Sequence, residues 1–467
     1  MLKFNKMQMN IIIKIIFKYF ISIYLFKFII KSNIIFINKN NSELNENYLK
    51  IQKSIKIRFN NQLKGKIKIG IYTYSLKNGG LQKLTSLIIK YFIKTGIYDL
   101  YIYTKLPKET NEYLIPNNIP RIAIKAPRLE NLINQTVKNN IDILIYNFYN
   151  STEIKILNNL NNLKTIFYIH QSFLYWIYFD YISFVSLYKS YQDSKYIIAL
   201  VPFENDFLFK KWGIKSILMN NFISYEFDSI TPSDLSSNTI LMLGRCENKL
   251  KRCDLGIKSM KYIREEIPEC KMKIISEIFP FSQLKILVRN LNLTNNIIFV
   301  GYSSKPETYF KNASLHIFTS ISESFGLVLC ETKIYGIPNI LLGLDYVTIS
   351  KGGTIIIYDD KPETIAKEAI KILKNKEYRK QLGISARNSM KKINNELIMK
   401  KWNKIILTIY NGDNYYQKLR QKDKKIPKNQ AIELVKNQLN LLKKRETIFN
   451  KTTLEDLLNF TYMENLK

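Results

Sequence analysis

The sequence predicts an α/β protein with two doubly wound, parallel-sheet domains. Short apolar runs alternate with helical stretches from Ile67 to about residue 222, and a second alternating set begins at Thr239. Between the two sets, Ser224 to Asn238 holds Pro232 with several Ser and Asp residues, the composition of a linker. At 467 residues the chain has room for two ordinary domains plus extensions.

Residues 1–64 form the first segment. Residues 11–30 are strongly apolar but carry Lys14, Lys18 and Lys27, and the longest clean run is Tyr19 to Phe26. That run is shorter than the roughly 20 residues that span a bilayer. A signal anchor with snorkelling lysines and an interfacial helix both stay open, and either makes this a membrane-associating segment followed by a polar linker over 38–64. Residues 65–223 form the first domain, with strands expected at 67–73, 98–103, 142–146, 164–169 and 196–201. Residues 224–395 form the second, with strands expected near 239–243, 271–275, 296–300, 315–319, 339–342 and 354–358. A terminal helix is expected over 396–421, containing Trp402 and Tyr410, and a basic helical extension over 422–467.

The most informative stretch runs from Glu323 to Glu331, two acids with Ser324-Phe325-Gly326-Leu327 just after the first. An apolar strand leads in, and a helical pattern follows that stops at Gly336 with Pro338 just beyond. Strand, glycine turn and helix together present backbone N–H groups and a positive helix end to a phosphate. If both acids lay on the helix, eight residues would separate them by about 12 Å. Paired glycosidase carboxylates sit about 5 to 9.5 Å apart, so a hydrolytic pair fits poorly. The longer spacing matches the reach from a nucleotide's ribose to the sugar on its diphosphate. Two solvated acids on an amphipathic helix is the plainer alternative.

Gly244 and Arg245 directly follow the apolar run Thr239 to Leu243, with Lys251 close behind. A forked and a point-like cation at a strand end suit a diphosphate whose negative charge grows as it leaves. Gly79 and Gly80 sit between the strand at 67–73 and a helical run from Leu81 to Lys94. His170 follows the run Thr165 to Ile169, and the other histidine, His316, lies inside an expected strand, a structural position.

In that order along the chain, these elements resemble retaining glycosyltransferases of family 4, which have the GT-B fold: two Rossmann-like domains facing a central cleft. The Glu-x7-Glu element with its Ser-Phe-Gly insert, Gly244-Arg245 with Lys251, the Gly79-Gly80 loop and His170 carry the resemblance, which covers roughly Lys66 to Tyr410. One departure is Ser276-Glu277, where the family has a Gly-x-Gly loop. The resemblance implies transfer of a hexose from a nucleotide diphosphate-sugar, UDP- or GDP-linked, with retention at the anomeric carbon. Arg245 and Lys251 would hold the diphosphate, with backbone donors around Ser324, Phe325, Gly326 and Leu327. Glu331 would take the ribose hydroxyls. Glu323 would contact the sugar and its oxocarbenium-like transition state. His170, Gly79 and Gly80 would line the first-domain side near donor sugar and acceptor. The family's terminal helix crosses back onto the first domain. A silent GT-B-like binding subunit and a nucleotide-sugar epimerase are the rival readings.

Composition bounds the partners. The formal charge is +33, with heavy use of Lys, Ile, Asn, Tyr and Phe, residues with A/T-rich codons. A cationic surface attracts anionic lipid and anionic nucleotide donors, and a lipid-linked or surface glycan is the expected acceptor. No zinc-finger spacing or RNA-binding aromatic signature is present, so no nucleic-acid partner is expected. No Asp-x-Asp occurs, and no metal or other cofactor is expected. Cys246, Cys253, Cys270 and Cys330 form no Cys-x-x-Cys pair. Disulfides are therefore not expected, and the catalytic region is expected to face a reducing, cytosolic compartment.

Overall fold

The computed structural model describes residues 65–412, apart from 78, 173–174, 177–180, 203, 206–212, 215, 247–249, 277–280 and 345–346, together with residue 433. The expected membrane-associating segment, the end of the terminal helix and nearly all of the basic extension lie outside the described residues. Among the described residues, no helix is long and apolar enough to cross a membrane.

Two all-parallel sheets form the framework. The first contains β1 (Ile67–Thr73), β2 (Tyr98–Thr104), β3 (Arg121–Ala123), β4 (Ile143–Tyr146), β5 (Lys164–Tyr168), β6 (Tyr196–Ala199) and β7 (Ile217–Leu218). The second contains β8 (Thr239–Leu243), β9 (Lys271–Ile275), β10 (Ile297–Gly301), β11 (Leu315–Phe318), β12 (Asn339–Leu342) and β13 (Thr354–Ile357). Their orders are β3-β2-β1-β4-β5-β6-β7 and β10-β9-β8-β11-β12-β13. In each sheet the winding reverses between two neighbouring strands, β1 and β4 in the first and β8 and β11 in the second. Ligands of open α/β sheets bind beyond the carboxyl ends of the strands at such a reversal. The topology therefore points to the loops after these four strands.

Local chemistry explains the elements. A parallel strand covered on both faces is apolar almost throughout, and β4 is buried at every position. The helix Gly80–Lys94 buries Leu84, Leu87, Ile88, Tyr91 and Phe92, one stripe at helical spacing. In the second domain Met242, Ile274, Ile317 and Leu342 from four strands pack with Ile257 and Met260 of the helix Cys253–Glu266.

The helix Asn395–Asn411 opens on Asn394, whose side chain accepts from the amides of Glu396 and Leu397. It packs on the first domain. Trp402 is fully buried and meets Phe92 and Tyr168 edge-on, each with ring centroids 5.5 Å apart. Tyr98 Oη donates to Asn403 Oδ1 at 2.7 Å, and Lys401 Nζ donates to the Leu218 carbonyl at 2.5 Å. Replacing Trp402 by Phe removes buried volume at this junction and is expected to cost about 1–2 kcal/mol in urea unfolding. Unchanged stability would show that the ring does not hold the helix in place.

Candidate active site

The loops after β8 and β11 are tied together. The Thr319 hydroxyl donates to the Lys251 carbonyl at 2.8 Å, and the Ile321 amide donates to the Leu250 carbonyl at 3.0 Å. The lysine ammonium bonds the Glu323 carboxylate and lies 3.5 Å from Ser320 Oγ. Their side chains are 19% and 15% exposed, so the pair is sheltered but reachable. An ammonium has three N–H donors and can hold a carboxylate and a phosphate oxygen together. Arg245 is exposed and has no ion-pair partner among the described residues. The next amide, Cys246 N, donates to Ser276 Oγ at 3.0 Å. The serine that departs from the glycine loop thus braces the turn that carries Arg245.

Glu323 is not on a helix. It lies in the loop, and the helix begins only at Leu327, ending at Ile334. The helical-rise argument for the separation of the two acids is therefore corrected: the Ser-Phe-Gly turn sets their geometry. Gly326 caps the helix with φ 78°, in the left-handed region. An added Cβ would find only ordinary contacts there, so conformation rather than space calls for glycine. No side chain caps this helix start and no acid occupies its first turn, which leaves amide donors facing outward from the turn. The Phe325 side chain is buried, so that residue has only backbone to offer a ligand.

Glu331 is buried on this helix. Its Oε1 accepts from Lys83 Nζ at 2.5 Å and from the Ser224 hydroxyl at 3.0 Å. Two residues further along the same helix, Lys333 is fully buried, and its Nζ donates to the carbonyls of Ile349 at 2.5 Å and Lys351 at 2.8 Å. Burial pushes its pKa down to about 7. Lys83, Ser224 and Lys333 carry no motif signal, so sequence reasoning missed them.

On the facing domain, Gly79 has φ 112° and starts the helix Gly80–Lys94 without a side-chain cap. His170 follows β5. Its Nε2 lies 2.8 Å from Asn147 Oδ1, its amide donates to Tyr149 Oη at 2.8 Å, and its ring lies 3.9 Å from that of Tyr168. Burial lowers its pKa to about 3, which makes it a neutral hydrogen-bonding group at physiological pH. The Ser324 hydroxyl donates to the His170 carbonyl, so the motif loop touches the first domain directly. Thr73 Oγ1, at the end of β1, and Asn147 Nδ2, just beyond β4, are buried without a hydrogen-bond partner among the described residues.

Cys246 and Cys253 are bonded to each other, correcting the expectation that no disulfide forms. The chain turns back through the left-handed Arg252 and brings the two Cα atoms within 5.4 Å, a proximity that sequence spacing does not reveal. The bond removes the cysteine argument for a reducing compartment. His316 is a buried structural residue, with Nδ1 2.6 Å from Asn339 Oδ1. Among the described residues no group of three or more His, Cys, Asp or Glu side chains could hold a metal ion.

Residues 225–389 match the family described as glycosyl transferases group 1. A poly(glycerol-phosphate) alpha-glucosyltransferase of Bacillus subtilis (strain 168) is 26% identical over 180 residues, 37% of this chain and 27% of that protein. The chain spans between 27% and 50% of the length of the first curated relatives it matches. Among solved structures, sucrose-phosphate synthase from Thermosynechococcus elongatus superposes with a TM-score of 0.62 at 15% identity, over 74% of this chain and 100% of that one. Anabaena HepE, solved in complex with UDP and glucose, superposes with a TM-score of 0.59 at 13% identity, over 73% and 100%. These likenesses show a GT-B fold of two Rossmann-like domains.

Proposed function

We infer that this glycosyltransferase of the GT-B fold moves a hexose from a nucleotide diphosphate-sugar to an acceptor with retention at the anomeric carbon, as family 4 enzymes do. One observation carries the reading. The loops after β8 and β11 set Arg245, unpaired among the described residues, the Lys251–Glu323 pair and the uncapped turn at Gly326 at one sheet reversal, with buried Glu331 on the helix behind. A diphosphate fits that set of donors, with its ribose toward Glu331 and its sugar toward Glu323. A UDP donor is the first choice, because HepE was solved with UDP and glucose.

In the proposed reaction the bond from the anomeric carbon to the β-phosphate oxygen breaks, and a bond to the acceptor oxygen forms on the same face. The acceptor proton passes to the departing phosphate oxygen. Arg245 and Lys251 meet the charge that grows there, so no protein-bound metal or other cofactor is needed in this scheme. Glu323 supports the positive charge on the sugar, and neutral His170 orients donor sugar or acceptor by hydrogen bonding. Gly79 and Gly80 let the first-domain backbone approach the donor, and Ser324 ties the motif loop to that domain, where closure excludes water. A cationic chain suits an anionic acceptor; the Bacillus relative is named for poly(glycerol-phosphate). A surface or lipid-linked glycan at a membrane, reached through residues 1–64, is the acceptor class we propose.

The test is a thermal-shift screen of the full chain against UDP, GDP and ADP, followed by turnover of the matching sugar donors and NMR of the product anomer. Stabilisation by one nucleotide and an α-linked product from an α-linked donor are expected. An inverted product would overturn retention. An epimerised donor without acceptor would favour the epimerase, and folded protein that ignores all three nucleotides would favour a silent subunit.

A further inference from the structure

Lys83 belongs to none of the sequence motifs, yet it crosses the cleft. It lies on the first turn of the helix Gly80–Lys94, where its amide donates to the Gly79 carbonyl at 3.0 Å. From there Nζ reaches Glu331 Oε1 on the opposite domain at 2.5 Å, with side chains 22% and 4% exposed. The same oxygen accepts from Ser224 at 3.0 Å. Oε2 takes no donor among the described residues. The carboxylate is thus asymmetric, one oxygen doubly held by protein and the other open. A sheltered carboxylate keeps a fixed direction only while such partners remain.

We propose that Lys83 is the positioning residue for ribose recognition: with Ser224 it fixes Oε1 of Glu331, so that Oε2 accepts from the ribose hydroxyls. The inference rests on Glu331 being the ribose partner. It adds that the second domain does not complete this site alone. Because the ammonium comes from the facing domain, discrimination between ribose and deoxyribose depends on the two domains being closed. Lys83 touches no reacting atom in this scheme.

The experiment is calorimetric titration of full-length wild type, Lys83→Met and Lys83→Arg with UDP, GDP and ADP, each paired with its 2′-deoxy form. Wild type is expected to prefer the ribose form of its nucleotide by about 10-fold, the worth of one hydrogen bond to a charged group. In Lys83→Met that ratio falls to about 1 to 3 while affinity for the deoxy form is kept, and Lys83→Arg restores most of it. Retained affinity for the deoxy form also shows that the variant is folded; if Lys83→Met does not fold, Lys83→Gln is judged by the same ratio. A variant that keeps the wild-type ratio would overturn the proposal, leaving Lys83 a mere clasp between domains. Tighter ribonucleotide binding by the variant would also overturn it, making Lys83 a competitor of the ribose. Wild type that binds a nucleotide with no ribose preference would remove Glu331's role but leave Arg245's. Wild type that binds none would end the donor-site reading as well.

Discussion

Arg245→Ala is expected to lower kcat/KM for donor turnover about 10²–10³-fold, the loss found when one preorganised donor to a developing negative charge is removed. Lys251 divides its ammonium between Glu323 and any phosphate, whereas Arg245 is exposed and without an ion-pair partner among the described residues. Its planar fork can grip two oxygens of one diphosphate. Removing an exposed side chain should leave stability within about 0.5 kcal/mol. Release of nucleoside diphosphate, measured beside urea unfolding, separates the two effects. A drop of less than about threefold in turnover would assign the leaving group's charge to other groups.

Lys333 is expected to make stability rise with pH. In the unfolded chain a lysine titrates near 10.4. Burial lowers the folded value to about 7, with Cys330 opposing the shift. Between about pH 7 and 10.4 the unfolded chain holds a proton that the folded chain lacks, so stability climbs with pH by up to about 1.4 kcal/mol per unit. Below about 7 both states are protonated and the cost of burying the charge is present in full. Lys333→Met removes that cost but leaves the carbonyls of Ile349 and Lys351 without their donor. The wild type should therefore gain on the variant as pH rises. Urea unfolding of both at about pH 6.5, 8 and 9.5 measures it, and a constant difference would take the titration away from Lys333.

Most strands were legible in the sequence because a buried parallel strand is an almost uninterrupted apolar run. β1, β8, β9 and β12 begin and end where that pattern does. β3 and β7 were missed for the converse reason. Three residues at a sheet edge, none of them buried, and a two-residue strand make no pattern. The candidate site was legible wherever chemistry coincided with punctuation: Gly326 opening a helix, or Arg245 just after a strand. What stayed hidden comes from chain reversal and from the facing domain. Lys83 meets Glu331 across a separation of 248 residues, and the Cys246–Cys253 bond depends on a turn that no cysteine pattern encodes. The separation of Glu323 from Glu331 was reckoned by helical rise, whereas the helix starts only at Leu327 and the turn before it sets the distance.

The packing of Asn395–Asn411 on the first sheet makes that domain discontinuous in sequence. During synthesis, the seven strands of the first sheet emerge from the ribosome long before Trp402 does. Until then Phe92 and Tyr168 lack the ring that covers them, and an apolar stripe lies open to water. Translation must pass through the whole second domain before the first can close. The order of assembly thereby completes the first domain last, and a message truncated before residue 395 would yield a nascent chain with an uncovered surface, a natural substrate for chaperones and proteases.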